Sequence, residues 1–295
     1  MMKVLVTGQN SYSGTQFAKR ITELNKGWNI EFVSVRNDSW EEKDFSPYDV
    51  VYHVAGIVHV KETSKNKDLY SKVNRDLTYQ LASKAKNDGV KSFVFLSTMA
   101  VYGMIGKIGE DMVISKETPA KPNSYYGKSK LEAEELLNTL DSHEFKVSTL
   151  RIPMIYGYGC PGNYKALSKL AKMTPIFPNI NNSRSMIYID HLSDLVIHII
   201  ENKLAGLFLV KSPQDINTLD MVNEIAQYND KKIYKSMALM VLIKLFGNRF
   251  SLAKKMFGNI VFKLEDCQVE GFKYEALSFK ESIALAEGRE TNEKR

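Results

Sequence analysis

The feature that most constrains this chain of 295 residues is a regular alternation of short apolar runs with helical patterns through its first half. Lys3–Thr7 reads as a strand stopped by Gly8, and residues 14–25 place apolar side chains at helical spacing. Ile30 to Val35 reads as a second strand, and Asp49 to Ala55, stopped by Gly56, as a third. Leu69 to Asp88 reads as a long helix closed by Gly89, the residue that best tolerates the left-handed turn after a helix end. Ser92–Leu96 is a fourth strand, Tyr125–Leu140 a further helix and Lys146–Ile152 a further strand. Strands alternating with helices specify βαβ units and hence a parallel, doubly wound sheet. Sheets of this class hold ligands beyond the carboxyl ends of their strands, which is where the polar motifs of the chain fall.

After residue 153 the pattern loosens, with Pro153, Gly157, Gly159, Pro161, Gly162, Pro175 and Pro178 interrupting it. The expected organisation is a nucleotide-binding domain over 1–153 with a return segment at about 186–203. A smaller α+β substrate lobe takes 154–185 and 204–295, and the charged tail from Gly288 is expected to fray. A hydrophobic content of 44% with 25% charged residues fits a soluble globular protein with a large core. The net charge of +6 is mild and spread along the chain, and no aromatic-basic module points to nucleic acid. Two cysteines, Cys160 and Cys267, lack metal or redox spacing, which fits a reducing compartment. His53, His59 and His191 are not spaced as metal ligands, and His53 reads as a strand-end packing residue. The N-terminus enters a strand directly, with no signal peptide or membrane span, so a cytoplasmic location is expected. Met237–Phe246 is almost continuously apolar but too short to span a bilayer. It reads as a core or dimer-interface helix, with peripheral docking on a membrane the lesser alternative.

Gly8, Ser11 and Gly14 occupy the three positions of a G-x-x-G-x-x-G turn between the first strand and the first helix, with Asn10, Tyr12 and Ser13 completing the loop. The first glycine permits the sharp turn, the last lets helix and strand pack, and the helix N-terminus faces a pyrophosphate. Serine in the middle adds a side chain where backbone should approach phosphate, and its hydroxyl is then a further phosphate ligand. This gives a Rossmann-type site. An acid at the end of the second strand would hold the ribose of NAD(H). The strand ends Ser34-Val35-Arg36 instead, so Arg36 is matched to a 2′-phosphate and NADP(H) is favoured. Asp38 keeps NAD(H) open, or contacts the adenine.

Tyr126 and Lys130 lie four apart and therefore on one helical face. That spacing is common by chance and acquires meaning from Ser97-Thr98 at the end of the fourth strand and from the nucleotide loop. A tyrosine has a pKa near 10 and is a poor base at neutral pH. These residues resemble the extended short-chain dehydrogenase/reductases, and that resemblance implies that Lys130 and a positive nicotinamide favour its phenolate. A shift of about 3 units corresponds to roughly 4 kcal/mol.

Together these strings resemble the extended short-chain dehydrogenase/reductases, and most closely their NAD-dependent epimerase/dehydratase family, which includes UDP-galactose 4-epimerase. The resemblance runs from Met2 to about Asp194. It covers the glycine turn, Asp49/His53/Ala55/Gly56, Asn74, Thr98 with Val101-Tyr102-Gly103, Tyr126/Lys130, Leu150-Arg151, and Arg184 before Tyr188-Ile189-Asp190. It implies that Thr98, Tyr126 and Lys130 are catalytic, Thr98 and Tyr126 holding the sugar oxygen and Lys130 the nicotinamide ribose. It further implies that Val54, Ala55, Gly56, Asn74, Ser97 and Pro153 line the cofactor, and that Asn163 and Phe177 touch a uridine nucleotide. Arg184 is the candidate for the substrate diphosphate, since a guanidinium offers forked donors.

The family's 4,6-dehydratases follow the catalytic threonine with Asp-Glu. Here Met99-Ala100 stand there, so elimination lacks proton carriers. Reduction of the C4 ketone of a UDP-4-keto-6-deoxy-N-acetylhexosamine is the leading expectation. Arg36 supports it, as do Cys160-Pro161-Gly162-Asn163-Tyr164 and Arg184-Ser185-Met186-Ile187-Tyr188, which resemble reductases forming UDP-N-acetyl-quinovosamine or UDP-N-acetyl-fucosamine for capsule and O-antigen. The alternatives are UDP-hexose 4-epimerisation and a non-catalytic NADP(H) sensor. Dimers are common in the family, so a homodimer is expected.

Overall fold

The computed structural model describes residues 1–58, 60 and 62–288. His59 and the charged tail after Gly288 lie outside them. In chain order the elements are β1 (Lys3–Thr7), α1 (Tyr12–Glu23), β2 (Asn29–Val33), β3 (Val50–His53), α2 (Lys67–Tyr70), α3 (Leu77–Asn87), β4 (Ser92–Thr98), β5 (Val113–Ile114), α4 (Tyr125–Asn138), β6 (Lys146–Ile152), β7 (Met154–Tyr156), α5 (Asn163–Met173), β8 (Ile176–Pro178), β9 (Met186–Tyr188), α6 (Ile189–Glu201), β10 (Gly206–Leu209), α7 (Thr218–Tyr228), β11 (Tyr234–Ser236), α8 (Met237–Phe246), α9 (Ser251–Phe257), β12 (Val261–Phe262) and α10 (Phe279–Gly288). Two compact units emerge. One comprises Met1–Met104, Pro119–Ile152 and Leu192–Leu209; the other comprises Ile105–Thr118, Pro153–His191 and the chain from Val210.

The first unit is a six-stranded sheet in the order β10-β6-β4-β3-β1-β2, parallel throughout, with flanking helices: the Rossmann-type arrangement the alternation predicts. Its central strands read as unbroken apolar runs because helices cover both faces; every residue of β3 is buried. On one face Leu5, Val51, Phe93 and Phe95 meet Leu81, Ala133, Leu137 and Phe145 in a single core. On the other, Phe17 of α1 meets Tyr52 edge-on with centroids 5.0 Å apart.

Local boundaries depart from the sequence reading at four places. β2 ends at Val33, so Ser34-Val35-Arg36 is loop. The helix expected over Leu69–Asp88 starts earlier and contains a π-helical turn at Ser71–Asp76, a distortion that apolar periodicity does not register. The edge strand β10 pairs in parallel with β6, so the sheet reaches beyond the expected return segment of 186–203. Residues 105–118, inside the expected 1–153 domain, group with the second unit because β5 pairs with β12.

The second unit carries three two-stranded parallel pairs: β7 with β9, β8 with β11 and β5 with β12. Glu287 of α10 ties down α5, accepting from the Tyr164 hydroxyl (2.6 Å) and Ser168 Oγ (3.1 Å) and pairing with Lys172 (2.7 Å). The core reading of Met237–Phe246 is corrected: α8 buries none of its residues. Its apolar side chains surround the helix, and the unit packs too little against it to cover them.

His53 is the packing residue the sequence suggests. It is fully buried, with Nδ1 2.6 Å from Thr7 Oγ1 and Nε2 2.9 Å from Thr78 Oγ1, and it stacks on Phe95. Burial, helped by the nearby Lys130 charge, pushes its pKa down to about 3. Between its ordinary value and about 3 the unfolded chain binds a proton that the folded chain refuses. Stability contributed by this neutral ring is therefore present above pH ~6.5 and is lost on acidification, at up to about 1.4 kcal/mol per pH unit. The expected outcome is a His53 imidazole still neutral at pH ~5 in side-chain NMR, with unfolding free energy declining over that window. A protonated ring in the folded protein at that pH contradicts it.

Candidate active site

The β1–α1 turn is built for a phosphate group. Gly8 sits at φ +95°, which an L side chain rarely adopts, and its N–H donates to Val33 O at 3.0 Å. A Cβ on Gly14 would lie 2.6 Å from Ser11 Oγ and 2.8 Å from Val6 Cγ1, so only glycine lets α1 approach β1 this closely. Ser11 is the N-cap of α1 and makes no side-chain cap bond. Its Oγ is buried without a hydrogen-bond partner among the described residues. An orphaned hydroxyl beside the free N–H groups of a helix N-terminus fits the pyrophosphate of a dinucleotide. Asn10 is exposed and Tyr12 and Ser13 are half-buried along the same turn.

Arg36 and Asp38 are both exposed past the end of β2. Together with Lys72, Arg75 and Gln80 they line a cavity of about 990 Å³, which none of Thr98, Tyr126 and Lys130 lines. Arg36 makes no ion pair among the described residues, so its guanidinium is available to an anion.

Val54, Ala55 and Gly56 follow β3, and a Cβ on Gly8 would press against Ala55 at 3.3 Å. Asn74, on the π-helical turn, is fully buried and holds this loop. It accepts from Ile57 N at 2.8 Å and donates to Ile57 O at 3.1 Å and Ser129 Oγ at 3.2 Å. The carboxamide thus fixes the loop's distance from α4, and the π turn is what aims it inward.

Tyr126 and Lys130 stand on α4, whose start is pinned twice. Ser124 Oγ accepts from Gly127 N at 3.0 Å, and the Glu62 carboxylate accepts from Tyr125 N and Tyr126 N, both at 3.0 Å. Two accepted N–H bonds and a negative charge at the helix N-terminus suit its dipole. Sequence reasoning missed Glu62, which is remote in the chain and carries no motif. Gly127 permits contact with the turn after β4: its Cβ would lie 2.5 Å from Ala100 O. Thr98 ends β4, accepts from Ala100 N at 3.2 Å and hydrogen-bonds the Tyr126 phenol. Hydroxyl and phenol therefore converge, as the spacing predicts.

The electrostatics of the two side chains in the protein alone are set by burial. Burial pushes the Tyr126 phenol up to about 12, with only the Thr98 bond opposing it. Burial likewise pushes the Lys130 ammonium down to about 7 against the pull of Glu134. Lys130 Nζ lies 3.9 Å from the Phe95 ring centroid, a cation–π seat. Desolvation penalises phenolate and ammonium alike. Lys130 therefore does not by itself produce a phenolate, and Tyr126 rests as a proton donor in the protein alone.

One helical turn beyond Lys130, Glu134 accepts from Arg151 Nη2 at 2.6 Å and from Ser97 Oγ in a very short bond. Arg151 Nη1 also donates to the Tyr102 hydroxyl at 2.9 Å. Ser97, expected to line the cofactor, spends its hydroxyl on this network and is 2% exposed.

In the second unit, Pro153 is buried directly after β6 and Asn163 is exposed as the first residue of α5. Phe177 packs its ring against Phe257 at 5.6 Å, inside that unit's core. Arg184 Nη1 donates to Gly258 O at 2.8 Å. Burial lowers the Arg184 pKa to about 10, and no carboxylate pairs with it among the described residues.

Two outcomes follow from this geometry. Tyr126→Phe is expected to lower kcat/KM by about 10²–10⁴ while leaving cofactor binding intact, measured by turnover and by titration with NAD(P)(H). Glu134→Gln leaves Arg151 buried and unpaired. It is expected to cost about 3–5 kcal/mol in denaturant unfolding, and a loss under ~1 kcal/mol would count against the network's role.

Comparison with known proteins agrees with this architecture. The model of the NAD dependent epimerase/dehydratase family matches residues 4–210. A UDP-glucose 4-epimerase of Vibrio cholerae is 31% identical over 270 residues, covering 84% of this chain and 82% of its own. The N-acetyl-α-D-glucosaminyl-diphospho-ditrans,octacis-undecaprenol 4-epimerase of Escherichia coli O157:H7 is 26% identical, covering 86% and 81%. Among solved structures, UDP-glucuronic acid 4-epimerase from Bacillus cereus in complex with NAD superposes with a TM-score of 0.74 at 18% identity, covering 97% of this chain and 95% of that one. The dTDP-4-dehydrorhamnose reductase of Bacillus anthracis in complex with NADP gives 0.72 at 18% identity, covering 97% and 98%. A glycine turn with an orphaned serine hydroxyl, a Thr98–Tyr126 pair over Lys130 and a family match across most of the chain lead to one assignment: this protein belongs to the NAD dependent epimerase/dehydratase family.

Proposed function

We propose that this enzyme reduces the C4 ketone of a UDP-4-keto-6-deoxy-N-acetylhexosamine, with NADPH as consumed reductant, in the supply of surface polysaccharide precursors. When bound, the nicotinamide supplies or accepts the hydride. The chain's own residues do the rest. Thr98 orients the sugar oxygen through its hydroxyl. Tyr126, a protonated phenol at rest, delivers the proton that turns the reduced oxygen into an alcohol. Lys130, buried on the same helical face, would hold the nicotinamide ribose, and its own positive charge would favour the phenolate in the opposite direction of reaction.

The observation that carries the reductase reading is Arg36. It stands where NAD-binding chains of this fold place a ribose-holding acid, and it has no ion-pair partner among the described residues. A 2′-phosphate is the anion of matching chemistry. Arg184 supports the diphosphate half of the substrate, because a half-buried guanidinium with no carboxylate partner among the described residues is matched to an anion. The turn after β4 carries Met99-Ala100 and no acid, which supports oxidoreduction over elimination.

C4 epimerisation of a UDP-N-acetylhexosamine is a second reading, favoured by one observation: two relatives that cover most of this chain are 4-epimerases. The readings separate in one assay. NADPH oxidation dependent on the UDP-4-keto sugar supports the reductase. Interconversion of UDP-GlcNAc and UDP-GalNAc without net cofactor use replaces it with the epimerase. For the cofactor, Arg36→Asp is expected to shift the NADPH-to-NADH preference in kcat/KM by roughly tenfold or more towards NADH, the loss of one charge-assisted contact. An unchanged ratio sinks the 2′-phosphate assignment.

A further inference from the structure

Between Lys231 and Leu264 the chain carries eight basic residues and no acidic one. That exceeds the net charge of the whole protein, +6, so the rest of the chain is net acidic. The same segment holds α8 and α9, and it is where apolar side chains reach the surface in greatest density. Met237 is 58% exposed, Leu242 54%, Leu245 67%, Phe250 61% and Leu252 70%. On α8, Met237, Val241 and Leu245 form one row and Leu242 and Phe246 the next, so the exposed apolar arc is continuous. Only Met240 and Ile243 are half-buried beneath it. Tyr234 on β11 extends the patch opposite the exposed Ile176 of β8, with Lys232 Nζ 5.4 Å from its ring centroid. The basic side chains frame this surface: Lys231, Lys232, Lys235, Lys244, Arg249 and Lys255 are all exposed.

The helix is anchored, not loose. Asn248, just past α8, accepts from Ile108 N at 3.0 Å and donates to Ile108 O at 3.2 Å. Gly247 brings the turn against Ile108, where a Cβ would lie 2.6 Å from its Cδ1. An apolar arc on a held helix, bordered by the basic side chains of a segment that carries no acidic residue of its own, has the chemistry of an anionic lipid surface, although Asp111 lies 2.6 Å from Asn259 at its edge. Apolar side chains enter the acyl boundary while the long basic ones reach headgroup phosphates. A second copy of the chain fits poorly, since it would bring the same positive charge against the first with no acid to pair it. No helix among the described residues is long and apolar enough to cross a bilayer. Ten residues give α8 a length of about 15 Å, enough to lie along the interface.

We propose that α8 and α9 form a peripheral docking face for anionic membranes, independent of which sugar reaction the enzyme performs. The test is cosedimentation of the full chain with vesicles of phosphatidylglycerol mixed into phosphatidylcholine, against pure phosphatidylcholine. Sedimentation with the anionic vesicles is expected, weakening as salt rises and slight with the neutral ones. The double variant Leu242→Asp/Leu245→Asp, altered only at exposed positions, is expected to bind those vesicles at least about tenfold more weakly. Its NAD(P)(H) binding and circular dichroism should match the wild type. Lys254→Ala/Lys255→Ala is expected to flatten the salt dependence. Vesicle binding unchanged in the leucine variant, or absent in the wild type, overturns the proposal. So does a wild-type dimer in sedimentation velocity that the leucine variant converts to monomer, which would assign the face to a second copy.

Discussion

The helix that carries Tyr126 and Lys130 is held to the sheet by one buried carboxylate. Tyr126, Lys130 and Glu134 follow one another along a single stripe of α4, and Glu134 is the member that reaches two strands. Through Ser97 it grips the end of β4, and through Arg151 it grips β6. Thr98 is the next residue along β4, so its distance from the phenol is set by the same clamp. Burying two charges is expensive, and a hydrophobic pair of similar size would often be as stable. What the ion pair supplies is direction. A carboxylate with partners on two strands fixes the rotation of α4 about its own axis, and a rotation of a few degrees would separate Tyr126 from Thr98. That the pair is kept for geometry and not for stability is the reading most consistent with its position.

The same burial sets the resting chemistry. Enclosure raises the phenol to about 12 and lowers the ammonium to about 7, so the protein alone disfavours the charged form of both groups. A site of this kind is inert as a base until another cation enters. Thr98 provides the one local interaction that eases ionisation of the phenol.

Much of this was legible in the sequence, for physical reasons that differ by element. β1, β3, β4 and β6 are buried on both faces, so composition alone marks them; the edge strand β2 alternates, and its end was placed two residues late. Gly8 and Gly14 were legible because backbone conformation and close approach admit no other residue there. Thr98, Tyr126 and Lys130 were legible because one strand end and one helical turn fix their offsets. Glu62 and the π-helical turn around Asn74 were not. Their roles come from contacts between segments far apart in the chain, and no periodicity records those. Met237–Phe246 failed differently: an apolar helix reads as core whenever a partner is assumed, and hydropathy does not say whether one exists.

The two units also differ in how they can specify a function. In the first, Thr98, Tyr126 and Lys130 are attached to a parallel strand end or to the helix clamped against it, so their placement follows from backbone geometry that tolerates little change. In the second, the paired strands are two or three residues long, and Arg184 is positioned by a backbone carbonyl of Gly258 and by isolated bridges to Ile216 and Ile260. Short elements held by single bonds can shift a guanidinium by an ångström without unfolding anything. That freedom suits a family in which one proton-and-hydride device serves many sugars. The strand end and helical turn of the first unit therefore constrain Thr98, Tyr126 and Lys130 more tightly than the second unit constrains Arg184.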